Sequence, residues 1–279
     1  MTAQIKATAF NKWDPDRKKW FNVKETEVNF NSNTGESNYI EMELEGFTPN
    51  MIWSFSDCLQ WQTIEIDEQS CDKMLNASGP HSGYVVLDVP QAPWYLGDRS
   101  EPWVSVLETM VQLDWCKGLT TKTAVMDITT EKIYGNTMFE YDVKRGDTAF
   151  FEEETGEFLL AEFIARWGKS AKPSLINCAD CAAGVTTLSA LFGCNPYVTQ
   201  INYHFPVNCI DPIGIDAQPT NNCFSTPLIG DDAREGGFRM HRVSIMNKGI
   251  WDACLRENTE IPKDGVIGSN PGAGTVQNP

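Results

Sequence analysis

The sequence predicts an α+β protein in which a β-rich N-terminal domain precedes helices packed on an antiparallel sheet. Residues 1–95 contain short segments of alternating polar and apolar residues, among them MIWSFS, TIEIDE and YVVLDV, divided by Asn, Ser, Gly and Pro. This pattern is typical of antiparallel strands. From residue 101 apolar residues recur at helical spacing, and after Pro196 the alternation returns. We predict a sandwich-like domain over 1–95, an α+β core over 96–262 with an insertion at 207–236, and an extended tail over 263–279.

Four apolar stripes predict the helices of the core. The first ends at Gly118, the second follows threonine caps near residue 120, the third ends at Gly168, and the fourth runs from Asn177 to Gly193. The strands that follow are TQINYHF, FRMHRVSIM and GIWDACL, with a tight turn at 247–249 between the last two.

Composition excludes several classes of partner. The 279 residues include 38 acidic and 22 basic side chains, for a net charge of −16. We expect neither nucleic acid nor an anionic membrane surface as a partner, because both require clustered Lys and Arg. No apolar run is long enough to span a membrane and no signal peptide is evident. The expected location is therefore the cytoplasm, or outside the cell by a route without a recognisable signal peptide.

Nine cysteines are spread along the chain without the density of a disulfide scaffold. We expect reduced, buried thiols, with a Cys209–Cys223 disulfide left open for an exported protein. The spacing of Cys178 and Cys181 would suit zinc, but no second C-x-x-C follows and the pair lies inside a helical pattern. We therefore predict no metal and no other cofactor.

The candidate chemistry begins at NCADC, where a predicted helix starts. Asn177 can cap the helix, and Asp180 complements the positive end of its dipole. The same positive end stabilises a thiolate. Cys178 and Cys181 are therefore either small buried thiols or a pair of which one is activated.

A cysteine nucleophile needs a base and a polar group that orients the base. The chain has three histidines. His241 lies in FRMHRVSIM, and Asp252 follows across the tight turn at 247–249. The two residues are predicted on neighbouring strands, with an offset or a bulge required for full alignment.

These residues resemble the transglutaminase-like cysteine peptidase superfamily, over roughly residues 100–258. The likeness rests on the C-x-D-x-A start at Cys178, on the preceding TTEKIYGN and FEYD, and on HRVSIMNKGIWD. It implies a papain-like or transglutaminase-like core: a helix bundle packed on an antiparallel sheet. It also implies Cys178 as nucleophile, His241 as general base and acid, and Asp252 as the residue that orients the imidazole.

A second alignment makes Cys181 the nucleophile. Residues 180–185, DCAAGV, are similar to the D-C-S-G start of bacterial cell-wall endopeptidases, a related papain-like group. His204, in TQINYHF, is the alternative base. His81 lies in the turn-rich SGPHSGY and is expected to be exposed.

Two functional hypotheses follow. The first is a thiol-dependent hydrolase or acyltransferase that acts on amide bonds of a protein or peptide substrate, through a Cys–His–Asp triad. The second is a non-catalytic interaction or assembly subunit on a degenerate papain-like scaffold. It would form a homo-oligomer or larger assembly through the N-terminal domain and the tail.

Overall fold

A computed structural model shows how these segments fold. The structure describes residues 1–10, 21–46, 50–94, 104–112, 115–142, 145–167, 172–205, 210–214, 238–257 and 274–277.

The chain forms two compact units, Met1–Val85 and Val86–Pro279. They divide ten residues before the predicted boundary at 95, because the last strand of the first unit ends at Val85. The predicted strand YVVLDV therefore contributes only its first two residues to the sheet.

The first unit is built on one six-stranded antiparallel sheet. The predicted strands MIWSFS and TIEIDE are wrong as separate elements, because one strand, Trp53–Ile66, contains four residues of each. The residues between them pair with the first strand, as in Ala9 with Leu59. The strands of this sheet are β1 (Thr2–Phe10), β2 (Phe21–Asn29), β3 (Leu44–Gly46), β4 (Trp53–Ile66), β5 (Gln69–Met74) and β6 (Ser78–Val85).

The helices of the second unit follow the predicted order. Thr121 caps the second helix by accepting a hydrogen bond from the Ala124 amide (3.2 Å), which confirms the threonine cap. The first helix is shorter than predicted, and the chain continues from it as a π-helical segment, Glu108–Gln112. The helices are α1 (Val104–Leu107), α2 (Lys122–Tyr134), α3 (Leu160–Ala165) and α4 (Cys178–Ala190).

The described strands of the second unit are β7 (Phe139–Tyr141), β8 (Ser174–Ile176), β9 (Tyr197–Phe205), β10 (Ile210–Pro212), β11 (Phe238–Met246), β12 (Gly249–Asp252), β13 (Leu255–Glu257) and β14 (Gly274–Gln277). They form three small sheets. The largest has four antiparallel strands in the order β14–β12–β11–β9, and α4 packs against β11. A parallel pair, β7 and β8, precedes α4, and β10 pairs with β13.

Two predicted segments are described only in part. Within the predicted insertion at 207–236, the structure describes 210–214, which contains β10. Within the predicted tail it describes β14, which pairs with β12. The other residues of both segments, including Cys209 and Cys223, lie outside the described residues.

Aromatic side chains fill the centre of the second unit, beneath the start of α4. Phe139 of β7 stacks on Phe163 of α3 with ring centroids 4.7 Å apart, and Phe150 meets Phe163 edge-on at 5.4 Å. Phe139, Phe150 and Phe163 are buried. Their burial stabilises the packing of the elements that lead into α4.

The helices of the second unit and the sheet on which they pack make the chain α+β in the broad sense, with more strand than helix. Over the described ranges, no helix combines the length and the apolarity needed to cross a membrane.

Candidate active site

Cys178 is the first residue of α4, and the side chains of Asn177 and Asp180 cap the N-terminus of this helix. Asn177 Oδ1 accepts hydrogen bonds from the amides of Ala179 (2.8 Å) and Asp180 (3.3 Å). The Asp180 carboxylate accepts in return from the Asn177 amide (3.1 Å), which completes a capping box. The predicted cap is confirmed. It places the Cys178 thiol at the positive end of the helix dipole.

Asp180 does more than complement this dipole. Its carboxylate also accepts hydrogen bonds from three consecutive amides of the loop between β7 and α3. These are the amides of Ala149 (2.9 Å), Phe150 (2.8 Å) and Phe151 (2.8 Å). Burial raises the pKa of Asp180, and the hydrogen bonds to its carboxylate oppose that rise. Asp180 therefore fixes the loop against the start of α4, a role that the sequence did not reveal.

A second contact links this loop to β11, the strand that carries His241. Arg242 donates to both carboxylate oxygens of Glu153 (2.8 and 2.7 Å), and its guanidinium lies 5.1 Å from the ring centroid of Phe151. Because Arg242 follows His241 directly, this pair links the loop to the strand that carries the imidazole. Sequence reasoning missed Arg242, and the only signal was its place beside His241.

His241 and Asp252 form a buried hydrogen-bonded pair. His241 Nε2 lies 2.7 Å from Asp252 Oδ2, and both residues are 3% exposed. The other carboxylate oxygen, Oδ1, accepts hydrogen bonds from the amides of Cys254 (2.8 Å) and Leu255 (3.2 Å). These two amides fix the plane of the carboxylate, and the carboxylate fixes the imidazole.

The hairpin register explains how the two side chains meet. Ser244 pairs with Trp251, so the same register, continued by one step, sets Asp252 opposite Val243. His241 lies two residues before Val243 on the same face of the strand. Diagonal neighbours on one face are within reach of long side chains. The side chains of His241 and Asp252 therefore meet diagonally across the offset between them. No bulge is required, because β11 and β12 pair through the turn without a register shift.

The Cys178 thiol lies beside this pair. Burial alone would lower the pKa of His241, but the charge of Asp252, the hydrogen bond to Asp252 and the nearby Cys178 thiol outweigh it. Together they hold the imidazole pKa well above its usual value of 6.5. A protonated imidazole stabilises a thiolate beside it.

Cys181 has different surroundings. Burial raises the pKa of Cys181, and the neighbouring Cys254 thiol partly offsets that rise. Burial also raises the pKa of Cys254 well above its usual value. Cys181 and Cys254 are 1% and 0% exposed, whereas Cys178 is 7% exposed. Of the two predicted nucleophiles, Cys178 is the one close enough to His241 to raise the pKa of its imidazole.

The two remaining histidines lie elsewhere. His204 belongs to β9, the neighbour of β11, and its side chain lies outside the described residues. His81 is exposed on β6 of the first unit, 3.0 Å from Ser78 Oγ. It is therefore not part of the cluster around Cys178.

An apolar cleft of about 880 Å³ lies on another face of α4. Its walls come from the segment around Trp94, from the Phe151–Phe158 turn and from Thr186 and Thr187 on the later turns of the helix. The thiol, imidazole and carboxylate described above are not among its lining groups.

Within the part of the chain that the structure describes, no group of three or more His, Cys, Asp and Glu side chains is arranged to hold a metal ion. No protein-family model, no curated protein and no solved structure matches this chain.

Proposed function

We propose that this chain is a thiol-dependent hydrolase or acyltransferase that acts on amide bonds, with a papain-like or transglutaminase-like core. The observation that supports the proposal most directly is the buried His241–Asp252 hydrogen bond beside Cys178, which is the first residue of a capped helix. A thiol, an imidazole and an orienting carboxylate in this order are the groups that nucleophilic acyl transfer requires.

In the proposed reaction His241 takes the proton of Cys178, and the thiolate attacks the carbonyl carbon of the amide. The developing oxyanion faces the first turn of α4, where the Cys178 amide can donate a hydrogen bond. His241 then gives the proton to the leaving amine. Water releases the acyl group in a hydrolase, and a second amine releases it in a cross-linking enzyme.

Asp252 acts by position. Its Oδ2 accepts from His241 Nε2, which selects the tautomer that presents Nδ1 to the thiol. Its charge also stabilises the imidazolium that forms when Cys178 ionises. The backbone amides at Cys254 and Leu255 keep the carboxylate in place as the proton moves.

The test is covalent labelling of the folded protein with an electrophilic amide mimic, with mass spectrometry to locate the adduct. We expect one adduct at Cys178 in the wild type, none in Cys178→Ala, and retained labelling in Cys181→Ala, the matched control on the same helix. His241→Ala should slow labelling by about 10²- to 10⁴-fold, the usual contribution of a general base. Labelling that disappears only in Cys181→Ala would assign the nucleophile to that residue.

Three assays on a mixed protein substrate distinguish hydrolysis, deamidation and cross-linking. New N-termini indicate hydrolysis, released ammonia indicates deamidation, and incorporation of a fluorescent primary amine indicates cross-linking. Failure of Cys178 to label in a protein shown to be folded by circular dichroism would favour the non-catalytic assembly subunit instead.

A further inference from the structure

Cys181 follows Cys178 by three residues at the start of α4, although the proposed reaction uses only one of the two thiols. Cys178, Cys254 and Asp252 all lie close enough to Cys181 to influence its pKa. Cys254 in turn interacts with Cys178. A nucleophilic thiol next to two others is placed for reversible oxidation.

We propose that Cys178 and Cys181 form a reversible disulfide when a hydroperoxide oxidises Cys178, and that this bond switches off acyl transfer. The inference rests on the proposed function only in naming the activity that is lost. The disulfide itself can be tested without a substrate.

Helix geometry allows this bond. With a rise of 1.5 Å per residue and a Cα radius near 2.3 Å, residues three apart in an α-helix have Cα atoms about 5 Å apart. That separation lies within the range of about 4.4–6.8 Å found for disulfides. Both cysteines lie in the first turn of α4. The Cys181 amide already donates to the Asn177 carbonyl (3.2 Å), so we expect the bond to form between the two side chains without unwinding the turn.

Exposure and the neighbouring imidazole decide which thiol reacts first. Cys178 is 7% exposed, against 1% for Cys181 and 0% for Cys254, and it lies beside His241, a base that can accept its proton. Cys181 is buried and protonated, so it does not start the reaction. It lies on the same helix turn and is placed to attack the oxidised sulfur of Cys178.

The chemistry balances in two steps. The Cys178 thiolate attacks the terminal oxygen of the hydroperoxide, so that an S–O bond forms and the O–O bond breaks. The other oxygen leaves, after protonation, as water from hydrogen peroxide or as an alcohol from an organic hydroperoxide. The Cys181 sulfur then attacks the sulfur of the sulfenic acid. An S–S bond forms, the S–O bond breaks, and the Cys181 proton leaves with the departing oxygen as water. Two thiols are oxidised by two electrons and one peroxide is reduced.

The resulting disulfide has two consequences for the site. It removes the nucleophile, and it prevents further oxidation of Cys178 to the irreversible sulfinic acid. A thiol reductant returns both cysteines by disulfide exchange.

The experiment treats the full-length protein with hydrogen peroxide and digests it with a protease that cleaves before aspartate. Cleavage before Asp180 separates Cys178 from Cys181. A disulfide between them therefore holds two peptides together until a reductant is added. We expect this linked pair in the wild type, with labelling at Cys178 lost on oxidation and mostly restored by dithiothreitol.

Cys181→Ala should instead accumulate Cys178 sulfenic acid, trapped by dimedone, and then sulfinic acid that dithiothreitol does not reverse. Cys254→Ala and Cys194→Ala are the matched controls, since both remove a buried thiol of the same unit. Both should still give the linked pair. If either proves unfolded by circular dichroism, the other carries the comparison.

A disulfide that maps to Cys254, or wild-type Cys178 that overoxidises as fast as it does in Cys181→Ala, would overturn the inference. The two proposals fail separately. Loss of the linked pair with Cys178 still labelled by the amide mimic contradicts only the redox switch. A linked pair with no labelling by the amide mimic contradicts only the acyl-transfer function.

Discussion

At the scale of single residues, the arrangement around His241 controls the candidate chemistry. An imidazole with an ordinary pKa would be largely neutral at neutral pH, whereas Asp252 and Cys178 hold the pKa of His241 well above 6.5. The protonated ring stabilises a neighbouring thiolate electrostatically. The carboxylate therefore supplies charge as well as orientation.

This raised pKa predicts how stability depends on pH. Between about 6.5, the value expected in the unfolded chain, and the higher value in the folded chain, the folded protein holds a proton that the unfolded chain lacks. The free energy of unfolding is therefore highest below this window and falls as the pH rises through it. Asp252→Asn removes the negative charge, lowers the pKa of His241, and should flatten the fall.

Urea denaturation of wild type and Asp252→Asn from about pH 6 to about pH 8.5 measures the difference in slope. The upper limit stays below the ordinary titration of cysteine, because burial raises the pKa of Cys116 and of Cys194 to about 12 and these thiols add their own loss of stability above pH 9. Equal slopes in the two proteins would contradict the role of the Asp252 charge.

At the scale of elements, the loop between β7 and α3 anchors the start of α4. Asp180 accepts hydrogen bonds from three loop amides, and Asn177 Nδ2 donates to the Gly146 carbonyl (2.7 Å). The Arg242–Glu153 pair holds the far side of the same loop. The position of Cys178 therefore depends on contacts made by its neighbours in sequence.

Asp180→Asn tests this support. Asparagine has one acceptor oxygen and turns an amide donor toward N–H groups that already donate, so we expect a loss of about 3 kcal/mol in the free energy of unfolding. Cys178 should also label more slowly, because the first turn of α4 loses its anchor.

Asp147→Asn is the matched control. This acidic side chain of the same loop is 67% exposed and lies 4.0 Å from Arg145, so its removal should cost less than about 0.5 kcal/mol. Urea denaturation gives both energies. Equal losses in the two variants would show that the Asp180 hydrogen bonds do not anchor the loop.

At the scale of the whole molecule, every residue of the candidate site belongs to one compact unit, Val86–Pro279. Cys178, His241 and Asp252 are separated widely in sequence but come from α4, β11 and β12 of that unit. The six-stranded sheet of Met1–Val85 contributes none of them.

A fragment that begins at Val86 should therefore fold and label at Cys178 at a rate within about twofold of the full chain, because a compact unit carries its own core. Circular dichroism checks the fold and the amide mimic checks the site. A folded fragment that does not label would show that the first unit is needed to complete the site.

The local sequence was enough to predict the helix that starts at Cys178, its Asn177 cap, the Thr121 cap of α2 and the turn between β11 and β12. These features depend on neighbouring residues, on helical spacing and on the chemistry of caps. The strands of the first unit were predicted less well. Two segments predicted as separate strands form one strand, Trp53–Ile66, because it pairs along its length with β1 and β6. Such pairing between segments distant in sequence is not visible in the local pattern.

The sequence by itself determined the residue types of the candidate site and their order along the chain. Only the tertiary structure decided which atoms meet. It sets Cys178 beside His241, brings Cys181 close to Cys254 and turns Asp180 toward the loop between β7 and α3. The physical reason is that helix periodicity places Cys178 and Cys181 about one turn apart at the start of α4 without saying what faces each thiol. What faces them is set by the packing of α4 on β11 and by the register of the hairpin that carries His241 and Asp252.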